Sequence, residues 1–141
     1  MIREAERRDR ERIEELYKLL IPDDNEIEVL EDRIDQIKLD PNHYLLVYEN
    51  EDTVVGTILL SFCPDAMYGN RPYAMLENLI VDPACRGLGV GKQLFDHIEV
   101  LCMAVDCREI LLMSNVRRTE AHQFFERLGY ANVARGFKKY I

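Results

Sequence analysis

VDPACRGLGVGKQL, Val81 to Leu94, decides how the rest of the chain is read. It follows Tyr73–Val81, whose Met75, Leu76, Leu79, Ile80 and Val81 suit a buried strand, and it opens an amphipathic segment from Val90 to Val105. A strand that feeds a glycine-rich turn at a helix start makes an anion site. Gly87, Gly89 and Gly91 let the backbone turn tightly and approach a ligand, and the first helical N–H groups, at the positive end of the helix dipole, point at it. Arg86 and Lys92 add two cations, so the ligand expected here is a phosphate ester.

Two phosphate motifs fail on spacing. A Walker A loop needs Gly six residues before its Lys and a Ser or Thr after it, to hold magnesium. Those positions are Arg86 and Gln93. A dinucleotide fingerprint needs GxGxxG, and here the third glycine, Gly91, comes one residue early. The bland alternative is a turn whose glycines only cap a helix.

At 141 residues the chain is expected to form one domain, 1–141, and to bury roughly 65–70% of its unfolded surface. The four cysteines, Cys63, Cys85, Cys102 and Cys107, form no CxxC pair, which fits reduced thiols, and His43, His97 and His122 are scattered, so no metal is expected. The start is charged and no run approaches the roughly 20 apolar residues of a membrane span, so a soluble, cytoplasmic protein is expected. A net charge of −8 argues against nucleic acid and weakly favours a cationic co-substrate such as an amine. Screening beyond roughly 8 Å lets local amides and cations govern the glycine loop despite that charge.

Periodicity gives the order of elements. Ile2–Ala5 reads as a short strand, and Asp9 is placed to cap a helix carrying Ile13, Leu16, Tyr17 and Leu20. Pro22 and its acidic neighbours end it, and a second helix is expected from about Glu28 to Leu39. Tyr44–Tyr48 and Val54–Phe62 read as a hairpin across Glu49–Asp52, and a long strand follows at Tyr73–Val81. Beyond the helix Val90–Val105 come a strand at Glu109–Ser114, a helix from Thr119 to Leu128 stopped by Gly129, and at most one or two short strands within Val133–Ile141, around Gly136. The pattern is an α/β (α+β) mixed sheet with helices on both faces.

With those blocks assembled, the chain resembles the GNAT superfamily of acyl-CoA-dependent N-acyltransferases. The family signature V-x-P-x-x-R-G-x-G-x-G is matched by Val81, Pro83, Arg86, Gly87, Gly89 and Gly91, and AHQFFERLGY, Ala121–Tyr130, is similar to the family's later helix. The resemblance implies a central sheet of six to seven strands with about four helices, splayed between the fourth and fifth strands. Acetyl-CoA would lie in that opening, with its pyrophosphate on Arg86, Gly87, Leu88, Gly89, Val90, Gly91 and Lys92 and its pantetheine beside Leu79, Ile80 and Val81. Asn115 and Phe125 join the cofactor-binding set, and a backbone N–H near Ile80 or Val81 is the oxyanion donor.

The chemistry implied is direct transfer of acetyl to an amine, small-molecule or peptide. Glu77 is the base candidate: it stands in the apolar stretch MLENLIV, where partial burial is expected to raise its pKa. A carboxylate holding a buried Arg or Tyr is the competing role. Asn78 is assigned to the opposite face by strand alternation. The family often carries a Tyr proton donor where this chain has Phe125, so Tyr130, Tyr73 or water would take that part. Tyr68, Arg71 and Tyr73 are candidate lining of the acceptor site, with a plain surface loop as the alternative. A homodimer is compatible with the chain, and the competing function is an acyl-CoA-binding module or sensor with little turnover.

Overall fold

The hairpin is built first from local chemistry. Glu51 and Asp52 both take positive φ, 48° and 62°, the two-residue turn whose twist matches that of the strands it joins. The computed structural model describes every residue from Met1 to Ile141, in the order β1 (Ile2–Glu4), α1 (Arg10–Leu20), α2 (Glu31–Leu39), β2 (His43–Asn50), β3 (Thr53–Cys63), β4 (Tyr73–Val81), α3 (Val90–Ala104), β5 (Ile110–Leu112) and α4 (Thr119–Arg127). The sheet order is β1-β2-β3-β4-β5, with the first four antiparallel. At the start of β4, Arg108 N–H donates to Pro72 O (2.8 Å) and Ala74 N–H to Glu109 O (2.9 Å), so numbers rise together and the last pairing is parallel.

The α/β expectation holds, with five strands rather than six to seven. Val133–Ile141 forms no strand, and β5 is three residues long where six were expected. The chain divides into two compact units, Met1–Leu111 and Leu112–Ile141.

In the first unit, α1 and α2 cover one face of the sheet. Ile13, Leu16 and Ile34 join Leu45, Val47, Val54 and Ile80 in one buried cluster. The other face takes α3, through Val90, Leu94, Phe95, Ile98 and Cys102. Gly56 sets that approach: a Cβ there would stand 3.1 Å from Val90 Cγ1 and 3.6 Å from Leu94 Cδ1. The buried Thr57 hydroxyl donates to Leu46 O at 2.8 Å, so no polar atom of that side chain is stranded. Helix α2 starts later than periodicity suggests. Val29 N–H is drawn to Glu14 Oε1 (2.9 Å) and Leu30 is extended, so the chain enters the helix only at Glu31.

One inserted residue rearranges β4. Leu59 pairs with Glu77 and Thr57 with Ile80, so Ile58 faces two residues, Asn78 and Leu79, and Asn78 takes φ 57°. This is a β-bulge. Leu76, opposite Leu60, lies on the α3 side, and Ile80, opposite Thr57, lies in the α1–α2 cluster. Simple alternation would have put both on one face, so the alternation is broken between Asn78 and Ile80, after Glu77 and Asn78 have been set on opposite faces.

Asp9 stands at the N-cap of α1 but does not cap that helix through its side chain. Its carboxylate instead accepts the Glu6 N–H (2.8 Å) and a two-pronged pair from Arg3 (2.8 and 2.9 Å), while Arg3 also donates to Glu49 (3.0 and 3.2 Å). Burial by itself pushes the Asp9 carboxyl up, but the Arg3 fork, the Glu6 N–H and the Arg3 charge outweigh it and hold it below the ordinary 3.8. A depressed carboxyl stabilises the fold above its unfolded pKa, and that contribution is lost as pH falls through the folded value. Asp9→Asn is therefore expected to cost about 2 kcal/mol near neutrality. In urea titrations the deficit should shrink steadily below about pH 4, as the wild-type carboxyl is protonated too.

The bulge makes its own prediction. Asn78→Val should destabilise by roughly 1–2 kcal/mol, because a β-branched residue resists positive φ, whereas Asn78→Gly should stay within a few tenths. Equal melting temperatures for the two variants would contradict the bulge.

Candidate active site

The glycine loop lies between the end of β4 and α3, and the sequence supplies each hinge. Asp82 accepts the Ala84 N–H (2.9 Å) and starts a single 3-10 turn at Pro83–Cys85. Arg12 of α1 binds the Asp82 carboxylate and also Val54 O (2.8 Å), so the loop entrance is tied to the core helix. The Ala84 N–H, then Arg12, holds the Asp82 carboxyl below its ordinary range. Gly87 and Gly89 take φ 77° and 81°, and Gly89 is the α3 N-cap with no side-chain cap. Gly91 lies inside the helix and needs no special conformation.

The result is a helix start whose leading N–H groups are left for a ligand, behind an exposed Leu88. Tyr48 OH to Gln93 Oε1 (3.2 Å) and Val90 against Gly56 fix the first turn of α3 to the sheet. Of the two expected cations, Lys92 is engaged with Asp96 at 2.7 Å, on the solvent side of the helix, while Arg86 is exposed beside Asp82. The start of α3 thus presents backbone amides, with the Lys92 ammonium engaged elsewhere.

Glu77, Leu79, Ile80 and Val81 belong to the strand that leads into this loop. The partial burial expected of Glu77 is not found; its side chain is exposed. The bulge sets it on the α1–α2 side of the sheet, immediately before the inserted residue, where ladder pairing with β3 is interrupted. Asp82 N–H, further along, is spent on Val55 O (2.8 Å). No sequence signal marked the bulge beyond an Asn, a residue that tolerates positive φ, inside an apolar strand.

The proposed acceptor lining falls at the other end of β4. The Tyr68 ring lies under the Arg108 guanidinium, 3.6 Å from ring centre to carbon, and Arg71 donates to Asp106 O at 3.2 Å, with the Asp106 carboxylate 3.4 Å away. Tyr73 is opposite Cys63, whose sulfur raises the phenol above its ordinary range. These contacts tie Tyr68 and Arg71 to the Asp106–Arg108 turn.

In the second unit, Asn115 makes a local turn: its side-chain oxygen accepts the Arg117 N–H (3.0 Å), and its carbonyl lies 2.9 Å from His122 Nε2. Phe124 and Phe125 pack at 5.7 Å between ring centres on α4, both half-buried. Gly129 at φ 93° ends that helix, and Tyr130 N–H returns to Phe125 O at 3.1 Å. No helix of the protein is long and apolar enough to cross a membrane.

Residues 10–130 match the acetyltransferase (GNAT) family model. A glucosamine 6-phosphate N-acetyltransferase from Trypanosoma brucei brucei is 30% identical over 77 residues, covering 55% of this chain and 50% of that protein. An aminoalkylphosphonate N-acetyltransferase from Salmonella typhimurium (strain LT2) is 34% identical over 93 residues, 65% of this chain and 59% of that one. The chain therefore spans between half and three fifths of the length of these curated relatives. A solved transcriptional regulator from Bacillus halodurans C-125 superposes with a TM-score of 0.88 at 26% identity, over 100% of this chain and 99% of that chain. The glycine loop, the strand before it and the family match together place this chain in the acetyltransferase (GNAT) family.

Proposed function

We propose that the protein is an N-acetyltransferase that moves an acetyl group from acetyl-CoA to a primary amine by direct attack. The observation that carries this is the uncapped start of α3 behind two left-handed glycines, directly following the bulged β4. Residues Arg86–Lys92 offer amides to the pyrophosphate, and Leu79, Ile80 and Val81 offer strand backbone to the pantetheine amides. When bound, acetyl-CoA supplies the thioester, whose carbonyl carbon accepts the amine nitrogen while the C–S bond breaks and its electron pair leaves on sulfur.

The chain's own groups supply the rest. A backbone N–H near Ile80 or Val81 donates to the oxygen on which negative charge develops. Glu77, exposed and next to the bulge, takes the surplus proton of the amine, directly or through a water. A thiol is an acceptable leaving group as its anion, so a dedicated acid for sulfur is not essential. The second reading, an acyl-CoA-binding module with little turnover, is favoured by one residue, Phe125, where related enzymes often carry a phenol.

Glu77→Gln is expected to lower kcat about 100-fold or more for an accepted amine. Its affinity for acetyl-CoA, measured by calorimetry, should stay within about twofold because the base does not hold the cofactor. Unchanged turnover would remove Glu77 from the mechanism, and tight cofactor binding with no turnover of any amine would establish the binding-module reading. Gly89→Ala tests the loop: acetyl-CoA should bind roughly tenfold more weakly, with no more than about 1–2 kcal/mol lost from folding.

A further inference from the structure

A cavity of about 250 Å³ opens between α1, α2 and the sheet. Its walls are Ile13, Ile34, Ile37, Leu45 and Leu59, with the Tyr17 ring among them. Leu45, Leu59 and Glu77 stand in one register row across β2, β3 and β4. Directly paired residues point to the same face with Cβ atoms about 5 Å apart, so Glu77 stands beside Leu59, one wall of this cavity, on the same face of the sheet. Tyr17, Val29, Ile37 and Leu59 are only partly buried although they pack on the core, and the cavity is where that apolar surface is left open.

The polar groups around it are few. The Tyr17 hydroxyl is raised to about 12 by burial alone, with no protein group bonded to it. A desolvated phenol facing an apolar cavity is suited to one hydrogen bond with a ligand. The rim carries one acid, Glu28, and one cation, Arg33. The neighbouring arginines are committed: Arg7 to Glu31, Asp32 and Asp35, and Arg10 to Glu11 and Glu14. A phosphate ester needs several free donors converging on it, and this rim offers a single cation with an acid on the same rim.

We infer that this cavity is the acceptor site and that its acceptor is a small primary amine on an apolar body, an alkyl- or arylalkylamine, rather than an amino sugar or a phosphorylated amine. This rests on the acetyltransferase reading above. The apolar body fills the space between Ile34, Ile37 and Leu59, the Tyr17 hydroxyl donates to an acceptor atom of the ligand, and the amino group emerges beside Glu77. There the amine nitrogen bonds to the acetyl carbon, the C–S bond breaks with its electron pair on sulfur, and the proton released by nitrogen passes to Glu77.

The test is thiol release from acetyl-CoA by the full chain with phenylbutylamine, phenoxypropylamine, glucosamine 6-phosphate and aminoethylphosphonate. The two arylalkylamines are expected to give kcat/KM values at least tenfold above the other two. Ile37→Trp, which fills the cavity, should raise their KM about tenfold or more while acetyl-CoA affinity and melting temperature hold. Tyr17→Phe should raise KM about tenfold for phenoxypropylamine, whose ether oxygen can accept, and leave phenylbutylamine unchanged. A preference for glucosamine 6-phosphate or aminoethylphosphonate, or an unaltered amine KM in Ile37→Trp, would overturn the inference and leave the acetyltransferase reading standing. Acetyl-CoA binding with no turnover of any amine would overturn both.

Discussion

The single inserted residue in β4 is the constraint on which the rest of the arrangement depends. A strand without it would carry Leu76 and Ile80 on one face, leaving either α3 or the α1–α2 layer short of a core side chain. With the bulge, each helical layer receives its own apolar residue from the same strand. The same step holds Glu77 on the α1–α2 side and breaks the ladder beside it. Two-sided burial and a gap in hydrogen bonding thus come from one backbone event, and the φ of 57° at Asn78 is what it requires.

The glycine loop is held by a different means. A net charge of −8 is a poor setting for a phosphate, yet the loop is anchored by neutral and locally compensated contacts. Asp82 is bound by Arg12 and the Ala84 N–H, Lys92 by Asp96, and α3 is seated by Val90 against Gly56. Backbone, Arg86 and Leu88 face solvent with no such anchor. Amide dipoles fixed by a rigid helix lose little to screening at contact distance, so attraction for an anion survives in an acidic molecule.

Much of this was legible in the sequence because it is local. Strand β4 falls on Tyr73–Val81 as its apolar run indicates, α3 begins at Val90 directly after the left-handed Gly89, and Gly129 stops α4. The misreadings have tertiary causes. Glu14 reaches across to Val29 and delays α2, and Glu77 is exposed in the middle of β4 although its neighbours in sequence are apolar. Val133–Ile141 forms no strand, and Val133, Phe137 and Tyr140 stand exposed. The cavity beside Tyr17 had no signature at all, since Ile34, Ile37, Leu45 and Leu59 each read as ordinary core.

We propose that the bulged strand and the glycine loop together form one acyl-CoA site. Amide hydrogen exchange of the full chain, with and without saturating acetyl-CoA, distinguishes this arrangement from the alternatives. Slowed exchange is expected in two stretches, Leu79–Val81 and Gly87–Lys92, with α1 and α2 unchanged. Protection absent from both stretches, or confined to α1 and α2, would contradict it.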